Sequence, residues 1–239
     1  MKKKVIIISS IACIGVLAGL KINNFLIGQK ILGSDTSIKS DFLKILPIKM
    51  NIKDTKVHRG ITASLAGIKF IIPKIDTFRT FRLRERYCAF HFLDSAQLKV
   101  QKDSSDVDFL DILNSPSDAN YNIIRSYLKD NNISSNFDLL LFSYFKSPDD
   151  ISFFNLSREN TIIQYSFLKF KDLTEAGNTK NGLYYFTLAH IKGFQYGRPG
   201  SSVPTVLRIY TNDNEGYLFV FTKFNQEQID QVITSINDN

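Results

Sequence analysis

Cysteine is nearly absent from this chain: Cys13 and Cys88 are the two among 239 residues. The first lies in an N-terminal leader and the second in the body, so the body has no internal disulfide and its core must hold the fold. A small disulfide-stapled toxin is excluded. Tryptophan is missing, and histidine occurs three times, as His58, His91 and His190. The sequence has no Gly-x-Ser-x-Gly elbow, phosphate loop, His-Glu-x-x-His or Cys-x-x-Cys. Its densest acidic group, Asp103, Asp106, Asp108 and Asp111, lacks the mid-loop glycine of a calcium loop and reads as a solvated helix start. No catalytic, cofactor-binding or metal-binding residue is assigned, and no cofactor is expected.

Charge is also missing where a nucleic-acid protein would need it. The net +7 is concentrated early: residues 1–60 carry 11 Lys/Arg against 3 Asp/Glu, leaving 19 against 20 in residues 61–239. A nucleic-acid-binding domain carries its basic excess on the folded body. Here the excess belongs to the leader and the arm behind it, where anionic lipid is the fitting partner. Nucleic acid is excluded as an expected partner.

What is present begins with that leader. Lys2, Lys3 and Lys4 precede an uncharged run from Val5 to Leu20, the order of a secretory signal. At 16 residues the run is shorter than the roughly 20 that a spanning helix needs. Val16 and Ala18 suit a cut between Ala18 and Gly19. Alternatively, Lys21 snorkels and Ile22, Phe25, Leu26 and Ile27 lengthen the span into a retained anchor, with Gly15 and Gly19 as a small-xxx-small pair. A third reading acylates Cys13 after Ser10, Ile11 and Ala12. In each case the lysines place the N-terminus inside and the body outside, at the cell membrane or in the periplasmic or extracellular space. The expected organisation is a signal peptide or membrane anchor over 1–30, a basic juxtamembrane linker over 31–56, and an extracytoplasmic domain over 57–239.

The body supplies 20 Phe and 10 Tyr for a core. Ile61 to Ile72 and Thr77 to Val100 carry strand character, the second with period-two alternation. Asp106 to Leu113, a segment after Ser117 bearing Tyr121, Ile124 and Leu128, and Phe137 to Phe145 read as helical. Ser147-Pro148-Asp149-Asp150 is a helix start. Thr161 to Phe170, Leu183 to Phe194, Val203 to Tyr210 and Tyr217 to Phe224 read as strands. The last two are joined by a hairpin loop in which Gly216 takes the positive φ. Asn225 and Gln228 form a capping box, followed by Ile229, Val232, Ile233 and Ile236 on one helical face. The predicted class is α+β, an antiparallel β-sheet packed against helices, preceded by an N-terminal transmembrane or signal segment.

Two stretches carry a family likeness. Gly67-Ile68-Lys69-Phe70-Ile71-Ile72-Pro73, and the strand–turn–strand–helix from Val206 to Ile236, resemble the opening strand and the ending of PsbP-like domains. The resemblance covers about 40 residues. It implies an α/β/α sandwich and a binding or scaffolding role, and it carries over no catalytic residue.

Two groups of residues are candidates for partner binding. Arg82, Arg84 and Arg86, at period two, place guanidinium forks on one strand face, suited to carboxylate or phosphate. Phe194, Tyr196 and Arg198 lie in a glycine-bounded stretch, Gly193 to Gly200, that reads as an aromatic contact loop. Cys88 and His91 stand three apart, on opposite faces of a strand, so a Cys–His pair is not expected. The sequence therefore points to a non-enzymatic bacterial envelope protein, membrane-anchored or secreted, whose outer domain binds a protein partner in the envelope. The alternative is an exported hydrolase or ligand-modifying enzyme with an unrecognised site near Cys88, His91 or His190.

Overall fold

Alternating exposure along Gly216–Thr222 shows how the sheet is built: Tyr217, Phe219 and Phe221 are buried on one face while Leu218 and Val220 turn to the other. A strand buried on both sides in this way belongs to the middle of a layered fold. A computed structural model describes residues 2–32, 41–53, 59–74, 78–103, 121–151, 157–173, 182–200 and 203–238, with side chains in the first segment described from Leu17 onward.

The strands are β1 (Ile48–Lys49), β2 (Ile61–Leu65), β3 (Ile68–Ile72), β4 (Phe78–Arg84), β5 (Tyr87–Phe92), β6 (Gln97–Lys102), β7 (Leu183–Thr187), β8 (Ile191–Tyr196), β9 (Thr205–Thr211), β10 (Gly216–Thr222) and β11 (Asn237–Asp238). The helices are α1 (Lys2–Leu32), α2 (Tyr121–Asp130), α3 (Asn136–Tyr144), α4 (Arg158–Leu173) and α5 (Gln226–Thr234). Eight strands form one sheet in the order β1-β7-β8-β9-β10-β6-β5-β4, and β11-β3-β2 form a small second sheet. The fold is α+β. The large sheet is mixed, because β1 pairs with β7 in parallel, Ile48 opposite Tyr184, while its other pairings are antiparallel.

Each face of the large sheet has its own core. On one side Phe219, Phe221 and Ile209 meet Phe70 from the small sheet and Ile229, Val232 and Ile233 from α5. On the other, Phe194, Tyr196, Val206 and Tyr210 meet Ile124 of α2, Phe137 and Leu140 of α3, and Ile163 and Phe167 of α4. Aromatic edges fill both layers, as where Phe70 meets Phe219 at 5.4 Å and 71°.

The segment Thr161 to Phe170 corrects its sequence reading: it is the middle of helix α4, not a strand. Its apolar residues look two-periodic because both sides of this helix are covered. Ile162, Ile163, Phe167 and Phe170 face the core shared with α2, α3 and the sheet. Tyr165 and Leu168 face Leu32 of α1. A helix apolar all round is a buried helix.

Three local signals also resolve. Ser135 caps α3 by accepting from the Asp138 amide, and Asn225 with Gln228 forms the expected capping box on α5. Ser147 builds a complete box with Asp150, but the turn it starts is a single 3-10 turn, Pro148–Asp150, which ends at Ile151 in extended backbone. In the β9–β10 hairpin the positive φ falls on Asn214 (62°) rather than Gly216. Asparagine tolerates that region through local hydrogen bonding. The predicted helix at Asp106 to Leu113, the cap at Ser117 and His58 lie outside the described residues.

The N-terminal arm is part of the domain. Helix α1 runs without a break to Leu32, which is buried, and Gly28 sits against Tyr165 of α4. Beyond it Leu43 is fully buried and β1 joins the sheet edge. The stretch predicted as a basic linker over 31–56 thus contains a buried helix end, a strand and core residues. Among the described residues no helix is long and apolar enough to cross a membrane.

Candidate partner-binding surfaces

Strand β4 is the outer edge of the eight-stranded sheet, and all seven of its residues are exposed. Antiparallel pairing with β5 sets Arg82 opposite Ala89 and Arg84 opposite Tyr87, which places both guanidiniums on one face together with Thr80. A register shift between Phe78 and Thr80 brings Phe78 onto the same side as Phe81 and Leu83. There Phe81 stacks on Phe90 at 6.0 Å and Phe78 meets Phe92 edge-on at 6.3 Å. Phe81 remains 56% exposed and Leu83 60%. The strand thus offers an apolar row on one face and a cationic row on the other. Arg86 stands apart from that row, in the turn leading to β5, where its carbonyl accepts from the Lys102 amide. Among the described residues none of Arg79, Arg82, Arg84 or Arg86 makes an ion pair.

Phe194 and Tyr196 are not contact residues of a loop. Both belong to β8 and are fully buried, Phe194 stacked on Phe137 at 4.9 Å and Tyr196 with its hydroxyl 2.8 Å from that of Tyr144. The glycine-bounded stretch looked loop-like because Gly193 sits inside the strand, where the Arg208 carbonyl and the Phe186 ring leave no room for a Cβ. Arg198 is exposed beyond the strand end. Its Nε donates to the Tyr184 hydroxyl and its guanidinium lies 5.8 Å from that ring.

Arg198 borders a cleft of about 880 Å³, lined also by Met50, Tyr184, Gln195, Lys223, Phe224 and Gln226. Its lining residues Gln195 and Gln226 belong to a hydrogen-bonded chain that runs on to Asp230 and Lys53. Gln195 Nε2 donates to Gln226 Oε1 at 3.0 Å, Gln226 Nε2 donates to Asp230 Oδ1 at 2.8 Å, and Asp230 Oδ2 accepts the Lys53 amide at 3.2 Å. Gln195 and Asp230 are buried, so this chain is fixed by its own hydrogen bonds.

The residues of the alternative enzyme reading are dispersed. Cys88 is buried in the core, and burial pushes its thiol up to about 12. His91 is on the opposite face of β5, half-buried. His190 Nε2 lies 2.6 Å from the Ile236 carbonyl, tying the β7–β8 turn to the end of α5. Among the described residues no group of three His, Cys, Asp or Glu side chains stands close enough to hold a metal ion.

Two polar features lie where sequence reading found only core. Arg208 sits in the middle of β9, with Asp103 Oδ2 at 3.9 Å. Burial raises the Tyr196 and Tyr210 hydroxyls beside it well above the ordinary tyrosine range, which keeps them neutral. Lys171 on α4 is fully buried and donates to four main-chain carbonyls, those of Leu43, Ile45, Tyr144 and Lys146, at 2.7, 2.8, 3.0 and 2.9 Å. For Arg208 the available signal was a lone charge inside an apolar run, Val206-Leu207-Arg208-Ile209-Tyr210; Lys171, with Lys169 two residues before it and Asp172 after it, gave no such signal.

Comparison with protein-family models, with curated proteins and with solved structures found no match.

Proposed function

We propose that this chain is a non-enzymatic envelope protein, tethered by its N-terminal helix, whose domain takes an extended segment of a protein partner onto strand β4. The single observation that carries the reading is the state of β4 itself: seven exposed residues at the open edge of an eight-stranded sheet. Unpaired main-chain donors and acceptors on an edge recruit a further strand, and flanking side chains decide which one. Here Arg82 and Arg84 select for acidic residues on one face of the incoming strand, while Phe81 and Leu83 select for apolar ones on the other. The same arginines discourage pairing of β4 with a second copy, by like charge.

The tether belongs to the same proposal. Its support is the triple lysine before an uncharged run, continued by Leu17, Leu20, Ile22 and Leu26, each more than half exposed on α1. Apolar residues on the free side of a helix call for lipid or a partner. In this reading the N-terminus lies on the inner side of the membrane and the domain on the outer side. A PsbP-like relationship is likewise proposed, on Gly67–Pro73 and Val206–Ile236, and it implies the same binding or scaffolding role.

The test is site-specific photo-crosslinking in the intact envelope, with the reactive side chain at Phe81, or at Asp213 in the β9–β10 turn as a control. The reading requires a discrete adduct from position 81 that disappears in an Arg82→Glu/Arg84→Glu background. Adducts from position 213 alone, or adducts from 81 that survive the charge reversal, would sink it.

A further inference from the structure

The cleft beside Arg198 lies away from β4, against residues from β7, β8 and the start of α5, and partner binding at the edge strand leaves it unused. Its volume of about 880 Å³ is within the range of small-molecule sites. Its walls are apolar: Met50, the Tyr184 ring, Pro199 and Phe224. Its charged lining residues, Arg198 and Lys223, are both cations. Arg198 is tethered at the cleft before any ligand arrives, because its Nε donates to the Tyr184 hydroxyl, with the guanidinium 5.8 Å from the ring centre. That bond uses Nε and leaves the two terminal nitrogens, the pair that grips a carboxylate or phosphate side-on. Lys223, at φ +58° on the connection between β10 and α5, gives one ammonium N–H to the Asp94 carbonyl at 3.3 Å, which leaves two of its three donors for a ligand. A lysine adopts that backbone only where its surroundings dictate it. No carboxylate is among the lining residues, and the Asp230 carboxylate bonded to Gln226 also accepts the Lys53 amide.

From this arrangement we infer that the cleft binds a small amphiphile with one carboxylate or phosphate, its apolar body between Met50, Tyr184 and Phe224 and its anionic end between Arg198 and Lys223. The apolar walls supply area-proportional burial, and the two cations supply the choice of headgroup. A neutral or cationic molecule of the same length gains the first and forfeits the second.

Methionine gives a site-resolved test, because the sequence holds two, Met1 and Met50, and Met50 lines the cleft. The full chain, labelled on its methionine methyls and assembled in lipid nanodiscs, is titrated with octanoate, octyl phosphate, octanol and octylammonium. Met50→Leu assigns the signal. The inference requires a saturable shift of Met50, with Met1 unmoved, at least about tenfold tighter for one of the anions than for octanol, as one charge-assisted contact provides. The stronger anion identifies the headgroup as carboxylate or phosphate. Arg198→Gln/Lys223→Gln, two exposed-rim changes, must bring the anion to within about twofold of octanol. No saturable shift at Met50, equal affinity for octanol and the anions, or an anion preference that survives the double substitution overturns the inference.

Discussion

A Cβ placed on Gly28 would come within 2.5 Å of Cε2 of Tyr165, so the contact between helices α1 and α4 exists because position 28 has no side chain. This one glycine makes the end of the leader helix a wall of the domain. Gly28→Leu should force the helices apart, at a cost of about 1–3 kcal/mol as overpacking usually does. Limited proteolysis then cuts between Lys21 and Lys30 in the variant and spares the parent. Gly28→Leu with Tyr165→Ala should restore much of the protection.

Lys171 predicts a particular pH dependence. Burial pulls its ammonium down from 10.5 to about 8, with Asp150 pulling partly back. The folded value lies below the unfolded one, so the unfolded chain binds the extra proton between about pH 8 and 10.5, and folding stability rises with pH across that window. Urea midpoints measured at intervals from pH 7.5 to 10.5 should climb in the parent. In Lys171→Met that contribution to the climb should vanish. The variant should also be at least about 3 kcal/mol less stable, because several main-chain carbonyls lose a donor at about 1–3 kcal/mol each.

Cys88 should be inert. With its thiol pushed up to about 12 inside the core, almost no thiolate exists at neutral pH. In a Cys13→Ser background, maleimide labelling should proceed only under denaturing conditions, with an extent that follows the unfolding curve. Cys88→Ala should keep partner crosslinking at Phe81. Rapid labelling of the native protein would contradict the burial described here.

Asp230 joins the arm to the C-terminal helix, accepting from the Lys53 amide and from Gln226 Nε2. Asp230→Ala should cost about 1–3 kcal/mol by stranding these donors. Hydrogen exchange at the Lys53 amide should accelerate, while exchange in β10 changes little. Asp230→Asn, which keeps one acceptor oxygen, should fall between the two.

The parts legible in the sequence were those encoded by neighbours along the chain. Asn225 and Gln228 announce their capping box within four residues, and the short apolar, aromatic run Tyr217 to Phe221 after a turn announces a strand. The parts that misled depend on what lies across space. Thr161 to Phe170 hid its helical period because α1 covers the side a surface helix would leave polar. Phe194 and Tyr196 resembled loop aromatics because Gly193 is a packing glycine inside β8, a distinction set by Arg208 and Phe186 on other strands. The arginine row of β4 was visible by its spacing, but the exposure of Phe81 and Leu83 follows from edge position in an eight-strand order that no local pattern specifies. The cleft was invisible for the same reason, since its lining comes from stretches as far apart as Met50 and Gln226.

The long-range ties also set a timetable. Leu43 is fastened by a lysine 128 positions later, the Lys53 amide by a carboxylate 177 positions later, and β3 by Ser235, 164 positions on. Contacts of such separation form late and slowly. During synthesis the early arm meets these partners only once α4 and β7 have emerged, and β3 meets its own only with Ser235 and β11. Each early segment therefore stays unclosed while the chain between it and its partner is made, and the stretch from α5 to β11 acts as the latch on the small sheet.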